Sequence, residues 1–214
     1  MELMKNIDWR LCLIVDAEKM GKKDIISAIL EAVKGGVSLV QLRAKKLRTR
    51  EFLEMSLKIS EILKEKNIPF IINDRVDIAL SCKADGVHLG QQDLSLFYAR
   101  KIMGKNRLIG VSINTVNEAT EAEQGGADYL GVGPVFFTPT KEDLRPTLGI
   151  EGLREIRKIV RIPILAIGGV NAENARKIID TGVNGVAVVS AILSSENIKK
   201  AARELAQAVR RIKS

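Results

Sequence analysis

Three groups of polar residues in this sequence stand where they could do chemistry on an anion. Gln41, Arg43 and Lys45 alternate along Gln-Leu-Arg-Ala-Lys. In an extended segment they share a face, and one amide with two cations on one face makes an anion clamp. Asp74 and Asp93 form the second group, each just beyond a short apolar run. Two carboxylates near cationic groups suit a Mg²⁺ that also takes phosphate oxygens and water. The plainer reading is that each aspartate caps the helix that follows it. The third group is Ile-Gly-Gly-Val-Asn at 167–171 with Val188-Val189-Ser190. Glycine-rich turns and helix starts present backbone N–H groups to phosphate. Asn73 and Ser112 add an amide and a hydroxyl at the ends of other apolar runs. His88 is the only histidine and lies inside an apolar run, which reads as an interior imidazole rather than a general base. No serine–histidine pair, cysteine nucleophile or thiolate cluster is expected from the sequence.

The elements that must position these residues are visible in the hydrophobic rhythm. Short runs rich in β-branched residues predict strands over 11–15, 37–42, 69–72, 86–89, 108–111, 128–132, 163–167 and 186–189. Between them, apolar residues recur at helical spacing. Helices are predicted near 24–34, 49–66, 76–82, 94–103, from about 116 to the Gly125-Gly126 pair, 150–160, 172–180 and 198–212. Thr49 reads as the N-cap of the second. Several strands are continuously apolar, as buried parallel strands are. Strict alternation over 214 residues predicts a (β/α)₈ TIM barrel, a single domain over 1–214. A doubly wound open sheet would want G-x-G-x-x-G after the first strand, and none is there. In the barrel fold, chemistry sits at the C-terminal ends of the strands, where all three groups fall. A loop over 133–149 breaks the rhythm. A loop of that length in a compact barrel reads as functional or disordered, and its Thr138, Thr140 and Lys141 could bind a phosphate from above.

Composition narrows the partners. Lys and Arg exceed Asp and Glu by 34 to 26, a net charge of +8. The basic residues are spread out rather than gathered in an arm, and aromatics are only 4%, which leaves few stacking platforms for bases. Anionic small-molecule substrates fit better than nucleic acid. Cys12 and Cys82 form no C-x-x-C pair and read as buried free thiols in a reducing compartment. The run 11–15 is too short for a secretory h-region or a membrane span, so a cytoplasmic protein with no membrane partner is expected. The oligomeric state is not set by the sequence.

The motifs taken together are similar to the thiamine phosphate synthase family over nearly the whole chain. The segments that carry the resemblance are QLRAK (41–45), INDRVDIAL (72–80), ADGVHLGQQD (84–93), IGVS (109–112), DYLGVGPVFFTPTK (128–141), LGIEGL (148–153), AIGGV (166–170) and GVAVVSAI (185–192). The family joins an aminopyrimidine methyl diphosphate to a thiazole phosphate, forming thiamine phosphate and releasing pyrophosphate. The resemblance implies that Gln41, Arg43, Lys45, Asn73, Ser112 and Lys141 hold the pyrimidine diphosphate. It implies Mg²⁺ at Asp74 and Asp93. It also implies that Thr138, Thr140, Gly169, Val189 and Ser190 hold the thiazole phosphate. The family usually has S-x-H-T after strand five, whereas this chain has Ser112-Ile113-Asn114-Thr115; Asn114 cannot titrate near neutrality. The alternatives are a thiazole tautomerase, another phosphate-binding barrel isomerase and, from a different class, a basic nucleic-acid-binding protein.

Overall fold

The computed structural model describes residues 7–21, 24–138 and 145–210. Eight parallel strands close into a barrel in sequence order. They are β1 (Leu11–Asp16), β2 (Leu39–Arg43), β3 (Phe70–Asn73), β4 (Gly86–Leu89), β5 (Leu108–Ile113), β6 (Tyr129–Val132), β7 (Ile164–Ile167) and β8 (Gly185–Val188). Each pairs with the next, and β1 pairs with β8 through Leu11–Val186, Cys12–Ala187 and Leu13–Val188. The helices are α1 (Ile25–Gly35), α2 (Thr49–Glu65), α3 (Val76–Ser81), α4 (Leu96–Met103), α5 (Val116–Gln124), α6 (Gly149–Ile159), α7 (Ala175–Ile179), α8 (Ser190–Leu193) and α9 (Ile198–Ala208). No helix among the described residues is long and apolar enough to cross a membrane.

The expected elements are present, and their bounds shift for identifiable reasons. Pro69 and Pro163 lie outside their strands because proline has no N–H to give the ladder; their carbonyls still accept from Val40 and Leu130 at 3.1 and 2.9 Å. β2 and β5 extend further than expected, so Arg43 and Ser112 are strand residues with fixed orientations. Thr49 is not the N-cap of α2. Arg48 holds that position, and the Glu51 carboxylate accepts its backbone N–H at 3.3 Å. The four-residue α8, which follows β8 directly, was not expected as a separate helix. The final helix ends at Ala208, and the end of its expected span lies outside the described residues.

Period-two alternation divides the strands between two cores. Leu11, Leu13 and Val15 of β1, with Val40 and Leu42 of β2, join the main cluster between barrel and helices. Cys12, Ile14, Leu39, Ile71, Leu108, Tyr129, Leu165 and Ala187 fill the barrel's interior. On several strands from β1 to β5 the interior row turns polar toward the C-terminal end. Along β1 it runs Cys12, Ile14, Asp16; along β2, Leu39, Gln41, Arg43; along β5, Leu108, Gly110, Ser112.

One interior row is set by a missing side chain. His88, Gly110 and Tyr129 are register neighbours on β4, β5 and β6. A Cβ on Gly110 would lie 2.1 Å from Tyr129 Cζ and 2.5 Å from His88 Nδ1. Glycine therefore lets the two rings meet across β5, with Nδ1 and the phenol oxygen 3.0 Å apart. Gly110→Ala should destabilise the fold by roughly 1–3 kcal/mol, the usual cost of overpacking a tight core. The check is a urea titration, and an unchanged midpoint would show that the rings give way freely.

Candidate active site

The mouth of the barrel opens at the C-terminal ends of the strands. Its wall is formed in part by Ile14, Asp16, Gln41, Arg43, Asn73, His88 and Ser112 from β1 to β5. Each reaches the cavity because alternation turns every second residue of its strand inward. Asp16 and Arg43 are register neighbours, and Arg43 Nη1 donates to Asp16 Oδ2 at 2.7 Å. Glu18 approaches the same nitrogen at 3.5 Å. The guanidinium is thus held in place by two acids, of which Asp16 is almost fully buried. Gln41 Nε2 donates to Asn73 Oδ1 at 2.8 Å, which fixes both amides.

The far wall comes from the second half of the barrel. Gly168 and Gly169 take positive φ of 96° and 64°. Side chains there would run into the loop above: a Cβ on Gly168 would stand 2.7 Å from Pro134 Cα, and one on Gly169 2.7 Å from the Phe137 carbonyl oxygen. Gly169, Val189 and Ser190 all line the cavity. Ser190 begins α8 directly after β8, and the first N–H groups of a helix have no acceptor within it. This joins the glycine turn and a helix start on one side of the cavity, the usual form of a barrel phosphate site.

The long loop is fastened at its base. Leu148 N–H donates to the Pro134 carbonyl and Gly149 N–H to Val135, both at 2.9 Å. Asn114 adds a second fastening: its Nδ2 donates to Gly133 O at 3.1 Å and to Pro146 O at 3.0 Å, so one amide ties both ends of the loop. Glu118 completes the arrangement. It accepts from the Asn114 N–H at 2.6 Å and from Arg145 Nη1 at 3.1 Å. Burial would raise the Glu118 pKa, but the hydrogen bonds from Arg145 and the Asn114 backbone outweigh it and hold the carboxyl below its ordinary range. Thr138 and Arg145 line the cavity from this loop. Thr140 and Lys141 lie outside the described residues.

Lys45, Asp74 and Asp93 form a separate group at the rim rather than part of the cavity wall. Lys45 is two residues beyond the end of β2, so strand alternation no longer turns it inward. It is half exposed and pairs with Asp74 at 3.3 Å. Asp74 sits in a tight turn with φ 65°, its N–H bonded to the His88 carbonyl at 2.8 Å. Burial first, and then the adjacent Asp93 carboxylate, push Asp74 up to about 6, against the pull of Lys45. Asp93 Oδ2 also accepts from the Gly90 N–H at 2.7 Å.

Neither aspartate caps a helix: the N-caps of α3 and α4 are Arg75 and Ser95. Two carboxylates held side by side without a capping role fit a divalent cation. Among the described residues no group of three or more His, Cys, Asp or Glu could form a protein cage for a metal. A hard cation taking two carboxylates plus phosphate and water, as Mg²⁺ does, matches that donor set.

The cavity wall therefore gathers Gln41, Arg43, Asn73, Ser112, Thr138, Gly169, Val189 and Ser190 of the residues singled out in the sequence. Sequence reasoning missed Asp16, Glu18, Arg145 and the fastening role of Asn114. It also finds no serine–histidine pair, whereas the register of β4 and β5 brings His88 Nε2 to 2.9 Å from Ser112 Oγ. Asp16 was findable: it lies two residues after the inward Ile14, by the same alternation that selects Arg43. Arg145 carried no signal, because its place depends on Glu118 in a different element.

Comparison with known proteins gives a consistent result. A family model described as "Thiamine monophosphate synthase" matches residues 11–192. The "Thiamine-phosphate synthase" of Clostridium acetobutylicum is 48% identical over 208 residues, covering 97% of this chain and 98% of its own. That of Syntrophomonas wolfei is 48% identical over 204 residues, covering 95% and 98%. The solved structure of "Thiamine phosphate pyrophosphorylase from Pyrococcus furiosus" has a TM-score of 0.87 and 40% identity, covering 95% of this chain and 96% of its own.

Two carboxylates forced together cost stability when no cation lies between them. Asp74→Asn keeps the size and the tolerance of positive φ while removing one charge. In the presence of a chelator it should raise stability by about 1 kcal/mol, an amount discounted for solvent screening. Thermal melts of the two proteins test this. A lower melting temperature for the variant would mean that the pair is not under repulsion.

Proposed function

The chain belongs to the thiamine monophosphate synthase family, and we propose that the barrel mouth joins an aminopyrimidine methyl diphosphate to a thiazole phosphate with Mg²⁺ as cofactor. Its activity is that of a thiamine-phosphate synthase, a transferase. The observation that carries the reading is one cavity whose lining combines polar strand-end side chains with a glycine turn and a helix start. Arg43, Asn73 and Ser112 line it together with Gly169 and Ser190. The first group suits the diphosphate and the second the single phosphate of the thiazole.

The bond broken joins the pyrimidine methylene carbon to a diphosphate oxygen. Both electrons leave with the diphosphate. The electron-rich aminopyrimidine supports the positive charge left on the methylene carbon, and the thiazole nitrogen donates its lone pair there to form the new C–N bond. Arg43, Lys45 and Lys141 counter the charge growing on the leaving group. Asp74 and Asp93 would hold Mg²⁺, which when bound neutralises the same charge. Asn73, fixed by Gln41, and Ser112 orient the diphosphate end. Thr138, Thr140, Gly169, Val189 and Ser190 anchor the thiazole phosphate, which converts attack into a step within one complex. No protein nucleophile is required.

A thiazole tautomerase would need a proton carrier, and Asn114 does not titrate; its amide is committed to Gly133 and Pro146. The buried free thiols of Cys12 and Cys82 support a reducing, cytoplasmic setting.

The protein given both substrates and Mg²⁺ should form thiamine phosphate and pyrophosphate, and chelator should stop it. Asp93→Asn retains an acceptor for the Gly90 N–H but should lower kcat on the order of 10²–10³-fold. Undiminished turnover in that variant under chelator would remove the metal from the reading. Ser190→Asp places a negative charge in the second group. It should raise KM for the thiazole phosphate by about tenfold or more and leave KM for the diphosphate near its original value. An unchanged thiazole KM would assign that phosphate elsewhere.

A further inference from the structure

We propose that His88 is a positioning residue. Tyr129 fixes its imidazole as the Nε2–H tautomer, which donates to Ser112 Oγ and turns the serine's own proton toward the cavity, where a diphosphate oxygen accepts it. The ligand in this inference rests on the proposed function; the direction of the hydrogen-bond chain does not.

The argument starts at the buried end. Tyr129 is 1% exposed, its ring tilted against Trp9 with centroids 5.0 Å apart, in one buried cluster with Cys12, Leu39, Leu108 and Leu165. Burial holds its phenol well above the usual range, so the hydroxyl keeps its proton. Among the described residues its one hydrogen-bond partner is His88 Nδ1 at 3.0 Å. A buried O–H without an acceptor is costly, whereas an unused phenol lone pair is commonplace. The phenol is therefore the donor and Nδ1 the acceptor.

With Nδ1 accepting, the ring proton sits on Nε2, 2.9 Å from Ser112 Oγ. A hydroxyl that accepts from one side offers its hydrogen on the other. Ser112 lines the cavity, and an anionic oxygen there is the acceptor this polarity selects. The opposite tautomer would turn the Ser112 proton inward and present lone pairs to an anion. Gly110 and Gly131 make the arrangement possible. A Cβ on either would come within 3 Å of the imidazole.

His88 is the only histidine of the chain, so untagged protein labelled with ¹⁵N-histidine yields one imidazole. Near neutral pH, long-range ¹H–¹⁵N correlation should show Nε2 protonated and Nδ1 bare. Inorganic pyrophosphate with Mg²⁺ should shift Nε2 more than Nδ1, and Ser112→Ala should abolish that shift. Tyr129→Phe should mix the tautomers and raise KM for the diphosphate substrate by up to about tenfold, with less effect on kcat. An Nδ1–H tautomer in the wild-type protein overturns the inference, as does an imidazole that pyrophosphate leaves unmoved. The wild-type tautomer needs no turnover to be read. Failure of the synthase assay with an Nε2–H ring would sink the proposed function alone, and turnover with an Nδ1–H ring would sink this inference alone.

Discussion

The ladder between β1 and β8 is the constraint from which the rest follows. Once Leu11, Cys12 and Leu13 pair with Val186, Ala187 and Val188, the sheet has no edge and every register is fixed around the ring. Register then decides which side chains face inward, because a slip of one residue would turn each strand over. All the strands are parallel, so their C-terminal ends meet at one rim. Groups as distant in sequence as Asp16, Asn73, Ser112 and Ser190 are brought to one cavity by a hydrogen-bond pattern in which none of their side chains takes part.

A gradient of polarity runs along this interior. At the bottom, Leu39, Ile71, Leu108 and Leu165 pack tightly. Above them come polar groups that are buried or half-buried and paired: Gln41 with Asn73, His88 with Tyr129 and Ser112, Asp16 with Arg43. Among the described residues no buried side-chain nitrogen or oxygen lacks a partner. Pairing at this depth removes freedom from each group before any ligand arrives. A receptor whose donors are already fixed loses little entropy on binding. The Arg43 charge is in part offset by Asp16 and Glu18, so the cavity is less positive than the count of basic residues suggests.

Much of this was legible in the sequence, and the limits have a physical cause. Alternating strands and helices are written locally, in the period of apolar residues, and so were the inward positions of Gln41 and Arg43. Lys45 shows where that logic stops. The period holds only while the chain remains a strand, and β2 ends at Arg43. Strand ends fall later than the apolar runs suggest where a polar residue belongs to the strand, as with Asp16 and Ser112, because polarity reads as a loop signal. The rings of His88 and Tyr129 were not legible as a pair, since their contact requires the register of three strands and an absent side chain at Gly110. That Asp74 and Asp93 lie just beyond neighbouring strand ends was legible, whereas their place outside the cavity wall depends on the turn at Asp74.

Asn114 shows how position and chemistry can separate at an active-site rim. The residue is 7% exposed and stands next to the strand that delivers Ser112, where a polar side chain invites a catalytic reading. Its hydrogen bonds say otherwise. Both go to backbone carbonyls, at the first and near the last residues of the long loop, and its own N–H is held by Glu118. An amide suits this task because it donates two hydrogen bonds at any pH. An imidazole has two ring nitrogens pointing in different directions and a proton count that varies near neutrality. The loop that carries Thr138 and Arg145 is thereby closed by a group whose grip does not depend on protonation. The direction of proton donation in the cavity is left to the one histidine, on the adjacent strand.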